Sequence, residues 1–362
     1  MPLNHYVTLG RSGLRVSPFC LGAMTFGEDL GWGSSVAESA RIIDRFLERG
    51  GNFIDTANAY TRGHSEKILG DHLGRDPRKR ERVVLATKFF ASMFPGDPNG
   101  GGASRKAIHA QLHESLRRLQ TDYVDLYWMH AWDRYTPIEE TMRALDDLVR
   151  AGQVRYVGFS DTPAWKVAQA HTEAVLRGWT PLAALQIEYS LLERTVEGEL
   201  MPAAIELGLG VTPWSPLKSG ALSGKYKRQD KGSHKPDRGM FLTGTLADDK
   251  TYDVVEVVEA VAKEVGSTPA RVALAWLLAQ PGVTSPIIGA RTVAQLDDNL
   301  EALELKLTPK QLEKLAAVSQ PKLDFPAEFL RRGGSFAYGG TTINGTEYPV
   351  IPLAPRNDAE RY

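Results

Sequence analysis

Eight short apolar runs, separated by longer segments of helical period, constrain this chain more than any other feature. They fall at residues 19–23, 52–56, 83–87, 124–129, 154–159, 184–187, 210–212 and 284–288. Within each, hydrophobics run on without strict alternation, as in a short strand buried on both faces. Strand and helix in repeated alternation predict a parallel sheet wrapped by helices. Eight such units point to an α/β fold closed as a (β/α)8 TIM barrel rather than an open doubly wound sheet.

Helix punctuation between the runs supports this reading. Thr136-Pro137-Ile138-Glu139 has the form of a capping box with proline at the first helical position. Ile138, Met142, Leu145 and Val149 then share a face, and Ala151-Gly152 supplies the stop. Thr162-Pro163 and Thr268-Pro269 repeat the start signal, and Ser104 opens a helix striped by Ile108, Leu112, Leu116 and Leu119. Ahead of the first unit, Val7-Thr8-Leu9 and Leu14-Arg15-Val16 flank a turn between Gly10 and Gly13. This predicts an N-terminal β-hairpin, placed to plug the barrel floor. Residues 225–250, rich in Lys, Arg, Gly and Asp, read as a long loop, and residues 321–362 show no helical period. The expected organisation is a barrel over residues 1–320 with long loops at its C-terminal face, and a tail over 321–362 packing on or near it.

Bulk properties narrow the function classes. With 43 basic and 44 acidic residues the formal net charge is −1, which gives no electrostatic case for nucleic acid or an anionic membrane. The single cysteine, Cys20, excludes an internal disulfide and suits a buried thiol. Residues 1–10 lack the apolar core of a signal peptide, and the longest apolar stretch, 270–279, is too short for a span and contains Arg271. A cytoplasmic protein is expected, for which the Asn344-Gly345-Thr346 sequon carries no meaning. A homo-oligomer is compatible with the sequence.

Active sites of such barrels lie where the strands end. The second run ends at Asp55, the third at Lys88 and the fourth at His130, while Tyr60 lies five residues past Asp55. A carboxylate, an ammonium and an imidazole thus close three successive strands. Each alone has an ordinary structural reading: a cap, a solvated rim lysine, a satisfied histidine. Together they make chemical sense, because perturbed titratable groups gather at functional sites. Asp55 would hold Lys88, the Lys88 charge would lower the Tyr60 phenol pKa, and His130 would orient a carbonyl oxygen. There is no G-x-G-x-x-G after a strand and no Walker A loop, so any dinucleotide needs another device. His109 and His113, spaced i, i+4, lack the H-E-x-x-H context, and no metal site is predicted.

At these positions the sequence resembles the aldo-keto reductase superfamily. The likeness is carried in order by Asn52-Phe53-Ile54-Asp55-Thr56-Ala57, Tyr60, Ser65-Glu66, Leu69-Gly70, Ala86-Thr87-Lys88 and His130. It continues through Gly158-Phe159-Ser160, Gln186-Ile187-Glu188-Tyr189, Trp214-Ser215-Pro216-Leu217, Leu222-Ser223-Gly224-Lys225-Tyr226 and Pro286-Ile287-Ile288-Gly289-Ala290-Arg291 to Gln295 and Asn299. It covers about residues 5–315 and is similar to the long-form bacterial oxidoreductases and the branch that includes potassium-channel β subunits.

The resemblance implies NADPH/NADP+ lying across the C-terminal mouth and reduction of a small-molecule carbonyl substrate, an aldehyde or ketone. Tyr60 would be the proton donor, Lys88 and Asp55 would tune it, and His130 would orient the carbonyl. Gly22, Ala23 and Met24 would lie near the nicotinamide, Ser160 and Gln186 would hold its carboxamide, and Trp214 would stack on the ring. Ser215, Leu217 and Gly220 would line the pyrophosphate, with Lys225 and Arg238 adding charge. Gly289, Arg291, Gln295 and Asn299 would hold the adenosine end, Arg291 suiting a 2′-phosphate. The i, i+4, i+8 spacing of the last three beside a helix start independently fits phosphate binding. One residue departs from the pattern: Asp161 stands where many members carry Asn, and a carboxylate accepts hydrogen bonds without donating them.

Substrate choice would rest on loops 26–34, 90–103, 131–135 and 225–250. There Trp32, Phe90, Phe94, Trp132 and Tyr135 either line an apolar pocket or pack their own loops. Three other functions fit parts of the pattern: a class I aldolase forming a Schiff base on Lys88, a metal hydrolase using Asp55 and His130, and an NADPH-binding redox-sensing partner subunit with little turnover.

Overall fold

The computed structural model describes residues 1–232, 239–355 and 357–361, with the backbone alone at 239–242. Each apolar run forms a strand: Cys20–Gly22, Phe53–Asp55, Val84–Phe89, Val124–Met129, Val154–Ser160, Leu182–Gln186, Gly210–Val211 and Ile287–Gly289. They pair in parallel in chain order, and the eighth returns beside the first through Ile287 opposite Cys20. The seam between the seventh and eighth is spanned by a Val211–Val283 bridge. Across it, the Thr284 and Ile287 N–H groups donate to the Val211 and Pro213 carbonyls, each at 2.8 Å. The sheet therefore closes as a (β/α)8 barrel.

Strand alternation divides the core in two. Cys20, Phe53, Val84, Ala86, Leu126, Trp128, Ala184 and Ile287 point inward and pack with Leu9 and Val16. The last two come from the antiparallel hairpin Val7–Thr8/Arg15–Val16, which seals the floor. A glycine is required at 158, because a Cβ there would lie 2.4 Å from the Trp128 ring that fills the axis. The outward residues meet the surrounding helices, among them Val36–Glu48, Arg105–Leu119, Ile138–Arg150, Ala164–Arg177 and Pro269–Leu278.

Three expectations are corrected. Helices Ile138–Arg150 and Ala164–Arg177 begin after their prolines, and neither preceding threonine caps them. Thr136 Oγ1 instead donates to Asp133 Oδ2 at 2.8 Å, a carboxylate that also gathers the Ala103 and Tyr135 N–H groups and ties two mouth loops together. Thr162 Oγ1 donates to the Ser160 carbonyl at 2.9 Å. Ser104 and Thr268 do cap as predicted. Second, the stretch 225–250 is not one loop: it holds a turn at Arg228–Asp230 and a helix, Gly239–Ala247. Third, the tail contains helix Ala327–Tyr338 and a hairpin, Thr341–Ile343/Thr346–Tyr348. That helix buries none of its residues; Gly334 lets the Tyr348 ring lie against it, where a Cβ would come within 2.2 Å. Arg331 reaches Glu197 at 3.7 Å and Leu323 is buried, which ties the start of the tail to the barrel wall.

Candidate active site

The inward set of each strand, extended by two residues, reaches the mouth. Phe53 leads to Asp55, Ala86 to Lys88, Trp128 to His130, Gly158 to Ser160 and Ala184 to Gln186. Alternation alone thus brings five polar side chains from five strands to the same rim. Tyr60 joins them from the loop after Asp55. Its position is fixed by the next two residues, Thr61 (φ 46°) and Arg62 (φ 59°), both left-handed, with Thr61 Oγ1 donating to the Phe26 carbonyl at 2.9 Å. Backbone in this region is costly for residues other than glycine and persists where neighbours over-determine it.

Lys88 is fully buried and makes an ion pair with Asp55, donates to the Thr56 carbonyl at 2.8 Å and reaches Tyr60 Oη at 3.1 Å. Burial pulls the ammonium pKa down, but Asp55 and Tyr60 together outweigh it and hold it above its usual value. Gln186 Nε2 donates to Asp55 Oδ2 at 3.1 Å, fixing the carboxylate from the other side. The Tyr60 phenol departs from expectation. Burial pushes its pKa up and the Lys88 charge offsets this only in part, so the phenol keeps its proton. His130 stands edge-on to Tyr60 with ring centroids 5.8 Å apart, and burial, then Lys88, push its imidazole down to about 3. It is neutral at ordinary pH.

A cleft of about 790 Å³ runs from this tetrad across the mouth. Asp55, Tyr60 and His130 line one end, while Lys88 lies behind them. Gly22, Met24, Ser160, Gln186 and Trp214 line the middle. Ser215, Leu217, Gly220 and Lys225 follow on a loop that curls through the left-handed residues Ser215, Lys218 and Ser219. Gly289, Arg291, Gln295 and Asn299 line the far end, on and beside helix Val293–Leu300. There Gln295 accepts from the Arg291 N–H at 2.9 Å, and Asn299 donates to the Gly289 carbonyl at 3.3 Å. Arg238 lies outside the described residues.

A model of the Aldo/keto reductase family matches residues 18–320. The chain belongs to the aldo/keto reductase family. It is 42% identical over 319 residues to "Uncharacterized oxidoreductase YrpG" of Bacillus subtilis, covering 86% of this chain and 94% of that one. It is 36% identical to "Aryl-alcohol dehydrogenase [NADP(+)]" of Phanerodontia chrysosporium over 84% of this chain and 82% of that relative. "Norsolorinic acid reductase B" of Dothistroma septosporum matches at 35% over 97% and 88%. As a member of this family the protein is an oxidoreductase.

The aldo/keto reductase geometry opposes a Schiff base on Lys88, which needs a neutral amine open to the cleft; this one is a paired ammonium outside the lining. Among the described residues no group of three or more His, Cys, Asp or Glu side chains could hold a metal, and no helix is long and apolar enough to cross a membrane. None of the aromatic candidates Trp32, Phe90, Phe94, Trp132 and Tyr135 lines the cleft. Phe94 and Tyr135 are exposed, Phe90 packs on the core, and Trp132 meets Trp165 edge to face at 5.5 Å.

Behind the tetrad lies a buried charged network whose role was not read from the sequence. Glu66 accepts from Thr87 Oγ1 at 2.5 Å and Arg118 Nε at 2.6 Å, bracing the strand residue next to Lys88. Ser65 ties the Thr56 hydroxyl to the Ala23 carbonyl, each contact 2.8 Å. A lone Glu on a short helix gives no sequence signal for this, because its partners lie 21 and 52 residues away.

Proposed function

We propose that this protein reduces an aldehyde or ketone with NADPH, with Tyr60 as proton donor. The observation that carries the reading is the buried Asp55–Lys88–Tyr60 chain, which ends at the cleft in a protonated phenol beside a neutral imidazole.

The cleft fits the cofactor. Ser160 Oγ is buried without a hydrogen-bond partner yet lines the slot between Gln186 and Trp214, the setting a carboxamide would complete. NADPH would supply a hydride there. Ser160 and Gln186 would hold the carboxamide and Trp214 would cover the ring. Ser215, Leu217, Gly220 and Lys225 would follow the pyrophosphate, and Arg291 with Gln295 and Asn299 would take the adenosine end.

The carbonyl oxygen would sit between Tyr60 Oη and His130. A neutral His130 can donate one hydrogen bond without competing for the proton. As negative charge develops on that oxygen, Tyr60 transfers its proton, and the phenolate left behind is stabilised by Lys88 at 3.1 Å. Asp55 keeps Lys88 charged and aimed. An aryl aldehyde is the substrate class to try first, because relatives are named aryl-alcohol dehydrogenases.

The test is loss of the reduced-nicotinamide absorbance when purified protein and NADPH meet a panel of aryl and alkyl aldehydes and ketones. Turnover with any of them is expected. Tight NADPH binding with no turnover on the whole panel would instead favour a redox-sensing partner subunit, and no binding would refute both.

A further inference from the structure

Asp161 follows Ser160 at the end of the fifth strand, with a left-handed φ of 40°. Asp and Asn tolerate this conformation better than most side chains. The twist brings its carboxylate to Trp214, whose indole Nε1 donates to Oδ1 at 3.0 Å. Both residues line the cleft together with Tyr60, Ser160 and Gln186. The charged and titratable groups around Asp161 are Lys88 on the third strand, the Tyr60 phenol and Glu188 beyond the sixth strand. Lys88 is bound to Asp55, and Glu188 is bound by Lys218 at 2.7 Å. The Asp161 carboxylate therefore faces the cleft with an indole N–H as its bonded partner, while Lys88 and Lys218 are engaged by other carboxylates.

We propose that Asp161 selects the redox state of the bound nucleotide: its carboxylate favours the oxidised, cationic nicotinamide over the reduced, neutral one. The inference rests on the cofactor reading above. In carbonyl reduction a hydride moves to the carbonyl carbon, the Tyr60 proton moves to the oxygen, and one positive charge is left on the nicotinamide. A carboxylate held at the edge of that slot, in surroundings of low polarity, stabilises the charge as it forms. Asp161 is thus a positioning residue for Trp214 and an electrostatic one for hydride donation. An Asn at this site would keep the first role without the second. Burial pushes the Asp161 carboxyl up to about 6, so the preference switches on as pH rises through that value.

The test measures dissociation constants of NADP+ and NADPH by fluorescence titration, for the wild type and Asp161→Asn. Asn keeps an acceptor for the indole and tolerates the left-handed backbone, so only the charge is lost. The variant should bind NADP+ about tenfold more weakly and NADPH within about twofold of the wild type. In the wild type alone, the preference for NADP+ should grow as pH rises through about 6 and be flat in the variant. The ratio cancels titration of the phosphate both nucleotides share. Equal changes for both nucleotides, or none, together with a wild-type ratio independent of pH, overturn the inference while leaving the cofactor reading intact. Failure of the wild type to bind either nucleotide overturns both.

Discussion

At one end of the cleft Asp55, Lys88, Gln186 and the Thr56 carbonyl are already bonded to one another, while in its middle Ser160 Oγ is buried with no partner. The first set sits on strand ends, where register fixes each side chain. Further along, the 215–225 loop owes its shape to three left-handed residues and to Lys218 clamped on Glu188. On the proposed reading, the proton-transfer end is assembled by folding itself, whereas the slot for the nucleotide is left for its ligand to complete. Stability and catalysis are therefore entangled at one end and separable at the other.

The strongest way to break this contrast is Lys88→Met. It strands a buried carboxylate, so urea unfolding should show a loss of about 3–5 kcal/mol alongside loss of reduction. A stability change below about 1 kcal/mol would mean that the pair is not what holds that end together. Next comes Tyr60→Phe. Turnover should fall by about 10²–10⁴-fold, the usual worth of a general acid, with NADPH affinity unchanged. Retained turnover would remove Tyr60 from the reaction. At the nucleotide end, Arg291→Ala should weaken NADPH by about tenfold or more and NADH much less, with little change in unfolding. Equal losses would argue against a 2′-phosphate contact. The smallest effect is expected for Ser160→Ala, which removes an unsatisfied buried hydroxyl. The free protein should be unchanged or up to about 1 kcal/mol more stable, yet bind NADPH several-fold more weakly. A clear loss of free-protein stability would show that Ser160 already has a partner.

The same contrast decides what could be read in the sequence. All eight strands were legible because each apolar run is of strand length and they alternate regularly with helical segments. The residues that end them followed at once: Asp55, Lys88 and His130 extend the inward sets of their strands. Caps were less secure, since Thr136 and Thr162 had the right spelling but found other partners, Asp133 and the Ser160 carbonyl. Burial cannot be read from a short string, and it reversed the expected direction for the Tyr60 phenol. In the tail, Asn344-Gly345 was weighed as a sequon, though its two left-handed residues make the tight turn of a hairpin. Helix Ala327–Tyr338 was hidden because Gly333-Gly334, poor helix formers, interrupt its middle.

The floor hairpin has a consequence for proton traffic. Leu9 and Val16 close the barrel beneath Phe53, Val84, Leu126 and Trp128, so the cleft above is the open end of the barrel. If Tyr60 is the proton donor, the cleft that it lines is a route by which its phenolate would regain a proton after each turnover. Recharging the acid and clearing the product would then be two uses of one doorway.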